Sequence, residues 1–385
     1  MAFQSIMNML CGYEVKTNMR LKEVELRIIQ LPLVRPFRTS FGTQTSREVL
    51  IVKVVNENGT TGWAECVAMS EPLYSPEYTH ACIDLIKRFL LPALTKAGDF
   101  KAEDVATILK PFLGGQMAKA AIETAILDAQ LRDEKRSLAA YLGATKSRVE
   151  CGVSVGIANN LDALVEEVKS YVEAGYRRIK LKIEPGWDIE AVKTIREIWP
   201  DIPLQVDANQ AYSRDDGKHL AQLDEFNLLL IEQPLDEHDI LGHALLAKEV
   251  KTPICLDESI ISLQSAQDAL ALQATTIINI KPGRVGGYLE SVKIHDLCVK
   301  SKIPVWCGGM LETGIGRAAN LALAALPGFT LPGDTSASAR YFKQDITTPF
   351  VMDDGYLTVP TGDGIGVTPD MNFLDSITIS KEIVL

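Results

Sequence analysis

The pattern of apolar and polar positions changes its character near residue 146. Before that point, segments 21–31 and 48–56 are rich in β-branched and apolar residues, and Asn58-Gly59 marks a hairpin turn. The stretch 116–132 instead places its apolar residues at helical spacing. The N-terminal part is therefore predicted to combine antiparallel sheet with helices.

Beyond residue 146 short apolar runs alternate with helical segments. Successive runs lie about 25 residues apart, which is the spacing of parallel strands joined by crossover helices. The runs lie near 151–157, 178–183, 203–207, 227–232, 253–257, 276–281, 303–307 and 329–332. Eight runs of this kind predict a β/α barrel.

The C-terminal segment from about residue 345 again shows a residue pattern that is typical of a β-hairpin. Asp353-Asp354-Gly355 lies between two apolar pairs that are predicted to form antiparallel strands. We expect this tail to complete the N-terminal domain. The predicted division is an N-terminal extension (1–20), an α+β domain (21–145), the barrel (146–344) and a C-terminal segment that completes the α+β domain (345–385).

The composition of the chain argues against some classes of binding partner. The chain has 385 residues, a hydrophobic content of 46% and a net charge of −11. Such an acidic chain is not expected to bind nucleic acid or an acidic membrane surface. The seven cysteines include no Cys-x-x-Cys pair, and no apolar stretch is long enough to span a membrane. These features favour a cytoplasmic protein with reduced thiols and no membrane partner.

Five charged residues end, or follow directly, five successive apolar runs. They are Lys182, Asp207, Glu232, Asp257 and Lys281. In a β/α barrel the carboxyl ends of all strands meet at one mouth. We therefore expect three carboxylates to lie between two amines at that mouth.

This set of residues indicates a metal-assisted proton transfer. Asp207, Glu232 and Asp257 offer the hard oxygen ligands that Mg²⁺ prefers. A substrate carboxylate on such a metal would have its extra negative charge stabilised as the adjacent carbon loses a proton. Lys182 can act as the base if its pKa is lowered, and both Lys180 and the metal would lower it. Lys281, from the opposite side of the barrel, would face the other side of the substrate.

Each of these residues, taken alone, also has a simpler interpretation. A single Asp or Glu at a strand end is more often a helix cap or a surface charge. Lysine in an apolar strand is costly unless it is paired, however, and five such residues in register favour a functional site. The five histidines lie on helical or loop segments and are interpreted as structural or surface residues. The glycines of 283–287 indicate a tight turn rather than a phosphate loop.

The motifs that contain these residues resemble those of the enolase superfamily, in its muconate-lactonizing subgroup. Within that subgroup the chain is most similar to the o-succinylbenzoate synthase / N-succinylamino acid racemase family, from about Leu21 to the C-terminus. The resemblance rests on Pro36–Gly42, Met117–Ala120, Arg178–Ile183, Asp207–Asn209, Ile231–Pro234, Cys255–Glu258, Lys281–Gly287, Trp306–Glu312 and Pro332–Asp334. A lysine base with Mg²⁺ is a known feature of the superfamily.

The resemblance implies a (β/α)7β modified TIM barrel under an α+β capping domain built from both termini. It implies a divalent metal, Mg²⁺ or Mn²⁺ in its place, on Asp207, Glu232 and Asp257. Lys182 would be the base, and Lys281 would support the enolate or act as a second base. The implied supporting residues are Lys180, Asn209 and Arg284. Loops 35–47 and 66–77 would cover the mouth, and the implied substrate contacts are Ser40, Phe41, Met69, Ser154, Gly309, Met310 and Leu311.

The implied main reaction is dehydration of 2-succinyl-6-hydroxy-2,4-cyclohexadiene-1-carboxylate to o-succinylbenzoate, a step of menaquinone synthesis. Racemisation of N-succinylamino acids is the alternative or additional activity. The partner would be a small carboxylate substrate, and a homo-oligomer is expected.

Related activities are less well matched. Mandelate-type dehydratases use a histidine after the seventh strand, and 305–316 contains none. Dipeptide epimerases carry Asp-x-Asp after the eighth strand, where this chain has only Asp334. Muconate cycloisomerase shares the five central residues and is disfavoured only by overall similarity. A non-catalytic scaffold would normally have lost one of the five.

Overall fold

The computed structural model describes residues 19–385. Residues 1–18, which form most of the predicted N-terminal extension and contain Cys11, lie outside the described part. Met19 is buried, and its backbone exchanges two hydrogen bonds with Phe100. Residues 19 and 20 therefore pack with the N-terminal domain rather than extend from it.

The N-terminal domain is an antiparallel sheet covered by helices. Its strands are β1 (Leu21–Thr39), β2 (Gly42–Asn56) and β3 (Thr61–Cys66), joined at the edge by β13 (Thr378–Ile383). Its α-helical segments are Thr79–Leu85, Leu91–Ala97, Val105–Leu109, Gln116–Asp133 and Leu138–Leu142, with a π-helical turn at Ile86–Leu90 and a 3₁₀ turn at Ala102–Asp104. The last strand of the chain thus completes the domain that the first strands begin.

The helix Gln116–Asp133 packs directly on β3. A Cβ atom at Gly62 would lie 2.0 Å from the carbonyl oxygen of Ala125, so only glycine allows this close approach. The helix is buried on nearly every side, because its other faces contact the rest of the capping domain and the barrel. It is therefore the main connection between the two domains.

The second domain is a parallel sheet wrapped by helices. Its strands are β5 (Gly152–Val155), β6 (Arg178–Lys182), β7 (Leu204–Asp207), β8 (Ile231–Glu232), β9 (Ile254–Leu256), β10 (Ile277–Ile280) and β11 (Val305–Cys307), which are hydrogen-bonded in that order. The helices are Leu161–Glu173, Ile189–Ile198, Gly217–Leu220, Ile240–Leu246, Leu263–Ala271, Pro282–Val285, Tyr288–Ser301 and Gly314–Ala324, with 3₁₀ turns at Arg214–Asp216, Ala221–Phe226 and Ser338–Arg340.

The eighth predicted strand closes the barrel through single bridges. Phe329 bridges Val305 of β11, and Gly333 bridges Cys151 beside β5, both in parallel orientation. The segment 329–333 therefore joins the two edges of the seven-stranded sheet. The predicted (β/α)7β barrel with a capping domain is confirmed.

The tail differs from the predicted hairpin. Strand β12 (Tyr356–Thr358) pairs antiparallel with β4 (Arg148–Glu150), next to the amino-terminal end of β5, and not with residues 350–351. Only the turn at 353–356 forms as expected, through a bridge between Asp353 and Tyr356. The hairpin prediction was wrong because the apolar residues of β12 found their partner in a distant strand. The helix Met371–Ser376 and β13 then return to the capping domain.

The described cysteines are reduced and buried. They are Cys66, Cys82, Cys151, Cys255, Cys298 and Cys307. Within residues 19–385, none of the helices combines the length and apolar character that a membrane crossing requires.

Candidate active site

The five charged residues singled out in the sequence lie together at one end of the barrel. Lys182, Asp207 and Glu232 are the last residues of β6, β7 and β8. Asp257 and Lys281 directly follow β9 and β10. All five are buried, and the parallel register places Lys182 beside Asp207 and Asp207 beside Glu232. Strand pairing therefore determines which charged groups meet.

Each lysine is paired with a carboxylate. Lys182 Nζ lies 2.6 Å from Asp207 Oδ2, and Lys281 Nζ lies 2.5 Å from Asp257 Oδ2. Because three strands (β7, β8 and β9) lie between β6 and β10, the two lysines approach the carboxylates from opposite sides. The arrangement offers two amines flanking one acidic centre.

Lys180 points into the barrel below this centre and is balanced by three carboxylates. Its Nζ lies 2.7 Å from Asp334 Oδ2, 3.0 Å from Glu232 Oε2 and 3.1 Å from Asp207 Oδ2. Burial opposes its charge, but these carboxylates outweigh burial and raise the pKa of Lys180 well above its usual range. Three carboxylates thus compensate its positive charge locally. That Lys180 lowers the pKa of Lys182 stays a prediction.

Burial and neighbouring charges shift the pKa values of the carboxylates. Burial raises the pKa of Glu232 well above its usual range, and the charges of Asp207 and Asp257 raise it further. Burial also disfavours the charge of Asp207, but Lys182 and Lys180 outweigh it and lower the pKa of that group. Like charges this close need cations between them.

The donor set suits a divalent cation. No three His, Cys, Asp or Glu side chains in residues 19–385 are grouped closely enough to hold a metal ion. The carboxylates instead bind the ammonium groups of the lysines. Asp257 Oδ1 is nevertheless buried without a hydrogen-bond partner among the described residues. Three carboxylates from adjacent strands with a spare oxygen are the ligands that Mg²⁺ or Mn²⁺ takes. Asp207, Glu232 and Asp257 therefore fit such an ion by the chemistry of their oxygen donors and not by their present spacing.

Two of the predicted supporting residues contact this centre. Asn209 accepts a hydrogen bond from Lys182 Nζ at 2.5 Å and donates one to Glu258 Oε1 at 2.8 Å. Arg284 Nη2 donates to Glu237 Oε2 at 2.6 Å. Asn209 therefore links Lys182 to the buried carboxylate of Glu258, and Arg284 binds the partly exposed carboxylate of Glu237.

Tyr74 is a residue that the sequence analysis missed. It lies in the loop 66–77, and its hydroxyl is 2.9 Å from Lys281 Nζ and 3.2 Å from Asp257 Oδ2. Its ring also lies under Arg284, at 5.2 Å from the guanidinium carbon. The available signal was an aromatic residue in a loop already predicted to cover the mouth.

The sequence analysis mentioned Asp334 only because it stands alone where dipeptide epimerases carry an Asp-x-Asp pair. In the structure both of its carboxylate oxygens are engaged, Oδ1 by Arg178 at 2.9 Å and Oδ2 by Lys180. Arg178 and Lys180 also lie over the ring of Trp306. Asp334 therefore belongs to the charged interior of the barrel, where Arg178 and Lys180 already engage both of its oxygens.

The predicted loop 35–47 is instead the hairpin end of β1 and β2, because residues 37–39 pair with residues 42–44. Its turn reaches the mouth through Ser40 and Phe41. Ser40 Oγ donates to the carbonyl oxygens of Ala208 and Asn209, at 3.2 and 3.3 Å. The ring of Phe41 lies 5.7 Å from that of Tyr74, so the two capping loops meet above the strand ends. Met69 is buried in the second loop and lines a cavity of about 240 Å³ with Phe41.

The other predicted substrate contacts lie on the barrel. Ser154 is buried on β5 next to Lys180, and its hydroxyl has no hydrogen-bond partner among the described residues. Met310 lines a small enclosed cavity with Lys281. A Cβ at Gly309 would make a tight contact of 3.0 Å with the Asp334 carbonyl oxygen, and Leu311 has a φ of 58°. Their contact with substrate stays a prediction.

Comparison with known proteins agrees with this geometry. The mandelate racemase / muconate lactonizing enzyme N-terminal domain matches residues 23–143, and the enolase C-terminal domain-like family matches residues 163–373. An N-succinylamino acid racemase of Amycolatopsis sp is 57% identical over 364 residues, 94% of this chain and 99% of that protein. An o-succinylbenzoate synthase of Geobacillus kaustophilus is 46% identical over 356 residues, 92% of this chain and 95% of that protein.

A solved structure extends the likeness to the whole fold. The crystal structure of an enolase superfamily member from Listeria innocua superposes with a TM-score of 0.92 at 43% identity, covering 95% of this chain and 99% of that one. The strand-end lysines and carboxylates thus lie in a fold and a sequence that both match one group of enzymes. The chain is an enzyme that belongs to the mandelate racemase / muconate lactonizing enzyme family of the enolase superfamily.

Proposed function

We propose that the chain is an o-succinylbenzoate synthase. It would dehydrate 2-succinyl-6-hydroxy-2,4-cyclohexadiene-1-carboxylate to o-succinylbenzoate and water. The observation that carries the proposal is the placement of Lys182 and Lys281 on opposite sides of three buried carboxylates. The similarity to named o-succinylbenzoate synthases supports the choice of substrate.

Lys182 acts as the base in this proposal. Its neutral amine takes the proton from the ring carbon that bears the carboxylate, the electron pair left on that carbon expels the C6 hydroxyl, and the Lys182 ammonium group returns the proton to that hydroxyl, which leaves as water. Lys281 remains positively charged and stabilises the negative charge that develops on the substrate carboxylate. Asp257 and Tyr74 hold its ammonium group in place, and they help to raise its pKa well above its usual range although burial opposes the charge.

The three carboxylates are the proposed ligands of a divalent cation, in keeping with the superfamily's use of such ions. Asp207, Glu232 and Asp257 would hold it, and Asn209 would support the site through Asp207. When bound, Mg²⁺ supplies positive charge that binds the substrate carboxylate and favours loss of the neighbouring proton. Mn²⁺ would serve in its place.

The capping loops would exclude water and set the substrate preference. Ser40, Phe41, Met69 and Tyr74 come from loops 35–47 and 66–77, which meet over the strand ends. Ser154, Gly309, Met310 and Leu311 would complete the wall on the barrel side. Aromatic and thioether side chains suit the ring of the product.

N-succinylamino acid racemase is the second candidate. It is favoured by the 57% identity to the Amycolatopsis racemase and by the two-sided placement of the lysines, because inversion needs a proton acceptor on one face and a donor on the other. Dipeptide epimerase is disfavoured, since both oxygens of Asp334 are engaged. Muconate cycloisomerase remains less well supported than either.

We place the reaction in menaquinone synthesis in the cytoplasm, with a small carboxylate substrate and no nucleic-acid or membrane partner. The buried, reduced cysteines support that compartment. Assembly as a homo-oligomer is part of the proposal.

The test compares kcat/KM for the cyclohexadiene substrate with kcat/KM for a panel of N-succinylamino acids. A higher value for the cyclohexadiene supports the synthase. Higher values for any N-succinylamino acid assign the racemase as the main activity, and no turnover of either class contradicts both candidates.

A further inference from the structure

Gln233 follows the metal-ligand candidate Glu232 directly, and no part of the proposed reaction uses it. Its side chain is fully buried at the mouth of the barrel. Its backbone φ is 36°, in the left-handed region that a non-glycine residue enters only when its surroundings hold it there. Burying an amide and holding the backbone at this φ both cost free energy, so contacts around Gln233 must offset that cost.

The side chain of Gln233 ties the end of β8 to the residues that follow β9. Its Oε1 accepts hydrogen bonds from the backbone N–H groups of Asp257, at 3.0 Å, and Ser259, at 3.2 Å. Its Nε2 donates to Ser259 Oγ at 2.8 Å and to the Leu235 carbonyl oxygen at 3.2 Å. The amide thus holds the backbone of one metal-ligand candidate from the strand that carries another.

The backbone of Gln233 extends this connection to both neighbouring strands. Its N–H donates to the Cys255 carbonyl oxygen in β9 at 2.9 Å. Its carbonyl oxygen accepts from Gln210 N–H at 2.8 Å, just beyond Asp207 at the end of β7. One residue is therefore bonded to all three strand ends that present Asp207, Glu232 and Asp257.

We propose that Gln233 is a positioning residue that sets the relative placement of the three carboxylates for their divalent cation. The inference rests on the proposed function, because it assumes that these carboxylates bind the ion. The side chain acts mainly on Asp257, since it binds the main-chain N–H of that residue. Residues that orient metal ligands typically contribute about 10- to 100-fold to metal affinity.

Two variants separate the side chain from the strained backbone. Gln233→Met keeps the length of the side chain and loses every amide hydrogen bond. Gln233→Gly also loses them, but glycine adopts a φ of 36° without strain, so it protects the fold if the methionine variant unfolds. Gln205→Met is the matched control, because Gln205 is a buried glutamine on β7 whose Nε2 has no hydrogen-bond partner among the described residues.

The measurement is the dissociation constant of Mn²⁺ by titration calorimetry without substrate, on variants shown to be folded by circular dichroism. We expect Gln233→Met and Gln233→Gly to bind Mn²⁺ about 10-fold or more weakly than the native protein, and Gln205→Met to bind it normally. Native affinity in either folded Gln233 variant, or equal weakening in Gln205→Met, would overturn the inference.

Glu232→Gln in the same titration tests the underlying site. If Glu232→Gln loses Mn²⁺ while the Gln233 variants bind normally, the metal site stands and the role of Gln233 is rejected. If Glu232→Gln binds Mn²⁺ as the native protein does, the proposed ligand set fails and the inference fails with it.

Discussion

The two sides of the candidate active site are held in place in different ways. The barrel side is fixed by main-chain pairing, which places Lys182 opposite Asp207 and Asp207 opposite Glu232. The capping side reaches the same mouth through side chains, of which Ser40 and Tyr74 make the clearest hydrogen bonds. The difference teaches that the proposed reacting groups lie on rigid strands, whereas the proposed substrate contacts of the capping domain lie on turns and loops that can change independently.

Removing the metal ion tests the barrel side most severely. Because three buried carboxylates are proposed to share one ion, activity should fall to the detection limit after chelation and return with Mg²⁺ or Mn²⁺. Circular dichroism checks that the stripped protein is folded. Full turnover by a thoroughly stripped, folded sample would remove the metal from the mechanism.

Replacing the base should have the next largest effect. Lys182→Ala should lower kcat for the dehydration by about 10² to 10⁴-fold, which is the usual contribution of a positioned acid or base. Lys281→Ala should impair the reaction strongly as well. Lys169→Ala, which removes an exposed lysine from a barrel helix, is the control and should leave kcat unchanged. A Lys182→Ala enzyme with native kcat would exclude this lysine as the base.

The junction between cap and barrel should respond to pH. Glu65, at the end of β3, accepts hydrogen bonds from the N–H and hydroxyl of Thr313, and burial raises its pKa to about 7. Since the folded pKa exceeds the unfolded value, this group stabilises the protein fully below about pH 4.5, and the contribution is lost as pH rises through about 7.

The measurement is the free energy of unfolding at pH 5 and pH 8. Relative to Glu65→Gln, the native protein should lose up to about 3 kcal/mol over this interval. Glu57→Gln, at an exposed position, should follow the native protein. Parallel curves for the native protein and Glu65→Gln would show that Glu65 does not titrate at the junction.

The capping side is tested by removing one hydroxyl. Tyr74→Phe keeps the ring but loses the hydrogen bonds to Lys281 and Asp257, which are worth about 1.5–3 kcal/mol when a charged group takes part. We expect kcat to fall about tenfold or somewhat more. Tyr78→Phe is the control, because the Tyr78 hydroxyl makes no hydrogen bond with the described residues. Equal effects of both substitutions would mean that the Tyr74 hydroxyl does not position Lys281.

The same contrast explains what could be predicted from the sequence. Strands and the residues at their ends follow from a local apolar pattern, so the barrel and the grouping of Lys182 with Asp207 could be predicted. Tyr74 and Asp334 were missed because their partners lie in distant segments, and no local pattern reports such contacts. The partner of β12 was missed for the same reason.

The central claim is that Lys182 and Lys281 face opposite sides of the substrate carbon. Its most direct test is α-hydrogen exchange of each enantiomer of an N-succinylamino acid in D₂O, catalysed by Lys182→Ala and by Lys281→Ala. Each variant should exchange one enantiomer slowly, the two variants should differ in which one, and neither should racemise it. If both variants exchange the same enantiomer, or either racemises at the native rate, the two-sided arrangement is contradicted.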